Sequence, residues 1–204
     1  MIDTASQIDT PVLLLDVMGT LVHDPFYEIV PAFFGMSFEQ LLREKHPTAW
    51  IEFELGEIAE EEFLPRFFRD GRTYSYAGLK EAMRRGYAWL PGMEDLVARL
   101  ARAAVPMHAL SNYTPWYRMI EDRTGLSRFV PWSFVSCETG VRKPDPEAYL
   151  HAARTLSVPP SVCLFIDDRE RNCEAAAGVG MSTILFENAA TLEHELKQRS
   201  IMPA

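Results

Sequence analysis

The chain is 204 residues long, 48% hydrophobic and 24% charged, an ordinary globular composition with room for one substantial core and a smaller second unit. Its net charge of −9 is broken by no basic stripe, which argues against nucleic acid as a partner and leaves a phosphorylated ligand dependent on a local cation. No apolar run approaches the ~20 residues of a membrane span.

The first ten residues, Met1 to Thr10, are polar and lack the pattern of a signal peptide. Cys137, Cys163 and Cys173 have no metal-like spacing. The expectation is a soluble, cytoplasmic chain with reduced thiols, or a plastid one whose transit peptide was removed.

The first apolar run, Val12–Asp16, reads as a buried strand that ends on a lone acid, followed by Val17-Met18-Gly19-Thr20. From about residue 24 to 87 the pattern is helical and without strands. Ser37-Phe38-Glu39-Gln40 predicts a capping box, in which the Ser oxygen and the Gln side chain satisfy orphan amides reciprocally. Gly56 closes one helix, Glu60–Phe68 forms the next with Phe63, Phe67 and Phe68 on one face, and Tyr76–Arg85 forms a third. The aromatic residues here (Phe33, Phe34, Trp50, Phe53, Tyr74, Tyr76) read first as packing, with ring stacking on a ligand as the alternative. Leu90-Pro91-Gly92 marks the return to the main unit.

Strand and helix patterns then alternate. Strands are expected at Pro106–Ser111, Phe134–Cys137, Val162–Asp167 and Thr183–Phe186. Helices are expected at Met93–Ala103, Trp116–Arg123, Pro146–Leu156, Arg169–Ala177 and Leu192–Arg199. This alternation predicts an α/β fold, a three-layer Rossmann-like parallel sheet, with a small all-helical cap inserted after the first strand. The main unit is expected to comprise residues 1–23 and 88–204, and the cap residues 24–87. In such sheets chemistry gathers beyond the carboxyl ends of the strands, where Asp16, Ser111 and Asp167-Asp168 all fall. The adjacent acids Asp167 and Asp168, with Asn172 one helical turn on, suit an oxygen-ligand Mg2+ site.

These four segments (Asp16 to Thr20, Ser111-Asn112, Lys143 in Val141-Arg142-Lys143-Pro144-Asp145-Pro146, and Asp167 to Asn172) resemble the motifs of the haloacid dehalogenase superfamily, in their order and over essentially the whole chain. The resemblance implies that Asp16 is a nucleophile forming a covalent aspartyl intermediate that water then hydrolyses. It implies that Thr20 orients Asp16 and serves the substrate site, and that Ser111 and Asn112 help hold phosphoryl oxygens. Lys143 would offset the charge of Asp16 and substrate together. Mg2+ would be held by Asp16, the Met18 carbonyl and Asp168, with Asp167 behind Asp168 or an alternative ligand.

Met18 stands where phosphatases of this superfamily carry a second Asp. Its carbonyl can still bind a metal, but a thioether cannot protonate a leaving group or activate water, a contribution of typically about 10²–10⁴-fold. His23, Asp24 and Glu54 are the nearby candidates for that duty. Superfamily members lacking this Asp include metal-independent 2-haloacid dehalogenases, which need a cap arginine, with Arg43 as the candidate here. They also include phosphonate-cleaving enzymes, which need a cap lysine, Lys45 or Lys80.

A narrower similarity runs through Asp16 to Phe26, Val30 to Met36, Lys45-His46-Pro47 and Ala49 to Glu54, to a plant and algal group of FMN hydrolases that carries the same Met. The implied activity is Mg2+-dependent hydrolysis of a small phosphomonoester, FMN first, with no nucleic acid or membrane partner. The alternatives are a haloacid dehalogenase and a phosphoryl- or flavin-binding protein weakened by Met18.

Overall fold

The computed structural model describes residues 10–202, so the polar start of the chain, apart from Thr10, lies outside the described residues. Five parallel strands form one sheet in the order β3-β2-β1-β4-β5. The first strand, β1, spans Val12–Leu15. Five short helices follow it directly: α1 (Phe26–Phe34), α2 (Phe38–Glu44), α3 (Ala49–Glu54), α4 (Glu60–Phe63) and α5 (Tyr76–Gly86). Thereafter strand and helix alternate: α6 (Met93–Arg102), β2 (Met107–Ser111), α7 (Tyr117–Thr124), β3 (Phe134–Val135), α8 (Ser136–Thr139) and α9 (Pro146–Thr155). The chain closes with β4 (Cys163–Asp167), α10 (Glu170–Gly178), β5 (Ser182–Leu185) and α11 (Ala189–Gln198). No helix among the described residues is long and apolar enough to cross a membrane.

The three leucines of β1 show why the sheet is sandwiched. Successive side chains of a strand point to opposite faces. Leu13 and Leu15 join a cluster with Leu96, Leu100 and Leu196, whereas Leu14 joins Tyr149, Ala152 and Phe165 on the other side. All three are essentially solvent-free, and each such burial stabilises the fold by roughly 1.5–3 kcal/mol. The first cluster continues into the inserted helices through Leu41, Phe53, Phe63 and Phe68.

Four local expectations need correction. The capping box forms by half: Ser37 Oγ accepts from the Gln40 amide, but the Gln40 side chain donates to Glu44 instead of returning to Ser37. The segment expected as one helix over residues 60–68 is α4 followed by a 3-10 turn at Leu64–Arg66, because Pro65 has no amide to continue the ladder. β3 stops at Val135, and Ser136 already begins α8. An additional helix, α1, precedes the capping segment; it carries Pro31 within it and ends on Gly35, whose φ of 64° is the left-handed conformation a glycine adopts cheaply.

Candidate active site

Register brings the acids together. Leu15 pairs with Ala109 of β2 and Ile166 of β4, so the next residue on each flank of the sheet's carboxyl edge places Asp16 beside Asp167. The Asp16 amide continues the ladder by donating to the Ile166 carbonyl at 2.9 Å. Beyond these strand ends lies a cavity of about 210 Å3, lined by Asp16, Met18, Trp50, Glu54, Asn112 and Lys143 among others.

Lys143 is the electrostatic centre. Its Nζ lies 2.6 Å from Asp16 Oδ1 and 2.7 Å from Asp167 Oδ2, with all three groups buried. Asp167 is held from every side: the Arg169 amide donates to Oδ1 at 2.8 Å, and Asn172 Nδ2 reaches Oδ1 at 3.0 Å and Oδ2 at 2.9 Å. That leaves Asp167 as the anchor of Lys143, with its oxygens already committed. Burial pushes the Asp16 carboxyl up to about 7, and Asp167 and Asp168 push it further in that direction while Lys143 opposes them. For Lys143 the two carboxylates outweigh burial, so its pKa rises and it stays an ammonium.

Asp16, Asp167 and Asp168 offer ligand atoms all within 4.8 Å of one another. Three carboxylates against one ammonium leave this floor two charges short, the balance that a divalent cation with oxygen ligands would restore. Gly19 keeps the space open: with φ at 85°, a Cβ there would lie 2.6 Å from Asp168 Oδ2. The donor set and that clearance fit Mg2+.

The remaining motif residues take distinct places. Thr20 is wholly buried outside the cavity lining, and its hydroxyl donates to Asp16 Oδ2 at 3.4 Å. Ser111, at the end of β2, is buried with an Oγ that has no hydrogen-bond partner among the described residues. Such a group costs about 1–3 kcal/mol unless something supplies a partner. Asn112 lines the cavity, but its amide is engaged with the Lys143 backbone.

The insertion supplies the opposite wall. Of the six aromatic residues singled out in it, only Trp50 lines the cavity; Phe34 and Tyr74 pack against Phe67 and Phe68, and Phe53 stacks on Phe63. Phe26 and Tyr27 line it instead, with Tyr113 from the main unit. Glu54 is buried with both oxygens occupied: Trp50 Nε1 donates at 2.6 Å and Arg142 at 2.9 Å. Arg169 donates to Tyr27 Oη at 2.9 Å, and both residues also line a second cleft of about 350 Å3, together with Asp168. Arg43, the candidate cap arginine, is exposed and outside both linings, and Lys80 is paired with Glu60 at 2.6 Å.

Sequence reasoning missed Arg142, Arg169 and Tyr27. Arg142 and Arg169 flank motif residues, but the only signal for their partners was that adjacency.

The chain matches the haloacid dehalogenase-like hydrolases over residues 10–180. Over 191 residues it is 51% identical to the chloroplastic flavin mononucleotide hydrolase 1 of Arabidopsis thaliana, an alignment covering 94% of this chain and 78% of the plant protein. A haloacid dehalogenase family enzyme from Bacteroides thetaiotaomicron, solved as a magnesium complex, superposes with a TM-score of 0.75 at 21% identity, over 93% of this chain and 99% of that one. The L-2-haloacid dehalogenase of Xanthobacter autotrophicus superposes at 0.62 with 18% identity, over 95% and 84%. The structural likenesses, at these identities, establish the fold.

Proposed function

This chain belongs to the haloacid dehalogenase-like hydrolases, and we propose that it is a Mg2+-dependent phosphatase whose substrate is FMN or a small phosphomonoester of similar form. The observation that carries the reading is Lys143, whose ammonium joins Asp16 to the fixed anchor Asp167 on the cavity floor. The flavin follows from the 51% identity to the plant FMN hydrolase, which extends through the inserted helices as well as the strand-end motifs.

In this reading an Asp16 oxygen attacks phosphorus and the bond from phosphorus to the ester oxygen breaks. Water then attacks the phosphoryl-Asp16, breaking the new bond and returning the carboxylate with inorganic phosphate. Lys143 offsets the negative charge on both sides of the transfer. The unpartnered Ser111 hydroxyl finds its acceptor in a phosphoryl oxygen. Asp16, Asp168 and the Met18 carbonyl would hold Mg2+, which supplies charge neutralisation for the transferring group.

A cavity of about 210 Å3 falls below the ~300–1,000 Å3 of sites that enclose drug-sized ligands. A substrate the size of FMN therefore requires the inserted helices to act as a lid, parting the Arg169–Tyr27 contact so that the two clefts merge. The relative is chloroplastic by name; plastid or cytosol, both reducing, suit the three free cysteines.

The test is phosphate release from FMN and from p-nitrophenyl phosphate, with Mg2+ and with EDTA, beside Asp16→Asn. Mg2+-dependent release, absent from the variant and faster with FMN, is the expected result. Release no greater than that of the variant on either substrate overturns the reading.

A further inference from the structure

We infer that Lys45 is the residue that reads the end of the substrate remote from the phosphate, donating from its ammonium to a carbonyl or anionic oxygen on a ring held against the aromatic wall. The inference rests on the phosphatase reading above and names the part of the site that selects among phosphomonoesters.

Lys45 is fixed in place by its backbone. It directly follows α2, its amide donates to the Leu41 carbonyl at 2.8 Å, and it forms an antiparallel bridge with Phe68. Its own carbonyl accepts from Arg69 Nε at 3.1 Å, and the next amide, of His46, donates to Phe67 at 2.8 Å. From that rigid base the side chain reaches the wall of the cavity shared by Asp16, Trp50 and Tyr113.

What separates Lys45 from the other cavity cations is that its ammonium has nothing to hold. Lys143 pairs with two carboxylates, Arg142 with Glu54, and Arg169 donates to Tyr27. Among the described residues Lys45 Nζ makes no hydrogen bond, and no carboxylate lies within 4.0 Å of it. Glu54 is the acid whose charge acts on it, but both Glu54 oxygens are taken by Trp50 and Arg142. Lys80, on the same insertion, shows the ordinary alternative, a close ion pair with Glu60.

An ammonium half-withdrawn from water without a partner is an unfavourable arrangement, and burial holds this one below the ordinary lysine range. A ligand acceptor would relieve it. The phosphoryl end is served by groups at the strand ends, whereas Lys45 comes from the insertion, among Phe26, Trp50 and Tyr113. A planar ring bearing carbonyl oxygens meets both demands, apolar faces for the aromatic wall and an electron-rich edge for the ammonium. The pyrimidine-dione edge of a flavin is such a group.

The experiment compares wild type with Lys45→Met and Lys45→Arg, using Mg2+-loaded protein. Steady-state kinetics are measured on FMN and on p-nitrophenyl phosphate, with riboflavin and inorganic phosphate as competing ligands. In Lys45→Met the KM for FMN and the inhibition constant of riboflavin should each rise about 10- to 100-fold, the worth of one charge-assisted hydrogen bond. Turnover of p-nitrophenyl phosphate and inhibition by phosphate should stay within about threefold of wild type, which also shows the variant is folded. Lys45→Arg should recover most of the riboflavin affinity.

Unchanged riboflavin inhibition in both variants overturns the assignment, as does an equal loss on phosphate or p-nitrophenyl phosphate, which would put Lys45 at the phosphoryl end. If wild type cleaves p-nitrophenyl phosphate yet neither cleaves FMN nor is inhibited by riboflavin, the flavin reading fails and takes this assignment with it. Should Lys45→Met be insoluble, Lys45→Gln is read by the same inhibition constants.

Discussion

Asn112 and Lys143 exchange two hydrogen bonds of 2.8 Å, the Asn112 amide nitrogen donating to the Lys143 carbonyl and the Lys143 amide donating back to Asn112 Oδ1. The side chain that follows β2 thereby fixes the backbone from which the Lys143 ammonium is suspended. In the proposed reaction Asn112 would act through Lys143, as a positioning residue.

Replacing Asn112 by Asp removes the donated half of this exchange and sets a carboxylate against the Lys143 carbonyl. The expected result is a loss of about 1–3 kcal/mol in stability and a fall in kcat of about tenfold or more, with KM for FMN within a few-fold. Urea titration and steady-state kinetics measure the two together. A change in KM alone would show Asn112 acting directly on the substrate.

Asp16 makes the metal-free protein sensitive to pH. Its folded carboxyl is raised to about 7, above the ordinary unfolded carboxylate near 4. A raised folded value stabilises fully below the unfolded pKa, and that stability is lost as pH climbs through about 7. In EDTA the melting temperature of wild type should therefore fall between about pH 5 and pH 8. Asp16→Asn should be flatter and, at pH 8, more stable by about 5 °C or more, because Asp167 still holds Lys143 at 2.7 Å. Adding Mg2+ at pH 8 should raise wild type and leave the variant nearly unmoved. Thermal melts by circular dichroism at the two pH values decide it.

Glu54 and Arg142, 88 positions apart, join the insertion to the loop before α9. Glu54 is buried, and burial raises its carboxyl while Arg142 and Trp50 work to keep it charged. Removing the arginine leaves that acid with only the indole. Arg142→Met should destabilise by about 1–3 kcal/mol, toward the low side for a buried pair because the arginine side chain is itself 34% exposed. Glu54→Gln should cost less, since an amide keeps the indole contact and needs no counter-charge. The double variant should be less destabilised than the sum of the two. A cycle that closes additively would make this a surface contact without coupling.

The sheet and its chemical edge were legible because parallel strands buried on both faces read as unbroken apolar runs. An acid at the end of such a run, as at Asp16 and Asp167, stands out against it. The insertion was not legible in the same way. Its helices are 4 to 11 residues long, and their apolar side chains pack among one another and against the main unit. Periodicity cannot say which of them face the cavity. Phe53 and Trp50 look alike in sequence, yet one stacks on Phe63 and the other lines the site. Lys45 and Lys80 likewise differ only in whether a carboxylate from another element arrives beside them. For Lys80 that partner, Glu60, lies 20 positions away. Pairings across such separations are set by how the helices settle, which a local pattern does not encode.

In the proposed reaction a thioether at Met18 would leave the proton on the leaving group to another residue, and the geometry ranks the three candidates. His23 faces Glu28 at 3.9 Å and lines the second cleft, not the cavity that Asp16 lines. Glu54 has both oxygens bonded. Asp24 lines both clefts beside Met18; its Oδ1 accepts from the Phe26 amide at 3.0 Å, and among the described residues no donor reaches Oδ2. Burial also raises its carboxyl, which favours a proton on that free oxygen. A p-nitrophenolate leaves without protonation, whereas the alkoxide of FMN needs it, so the two substrates separate proton transfer from folding. In acid-quenched single turnovers, Asp24→Asn should slow formation of phosphoryl-Asp16 from FMN by about 10²–10⁴-fold. With p-nitrophenyl phosphate the same step should change less than about tenfold. Equal slowing with both substrates would leave Asp24 only the task its Oδ1 already performs, capping the first turn of α1.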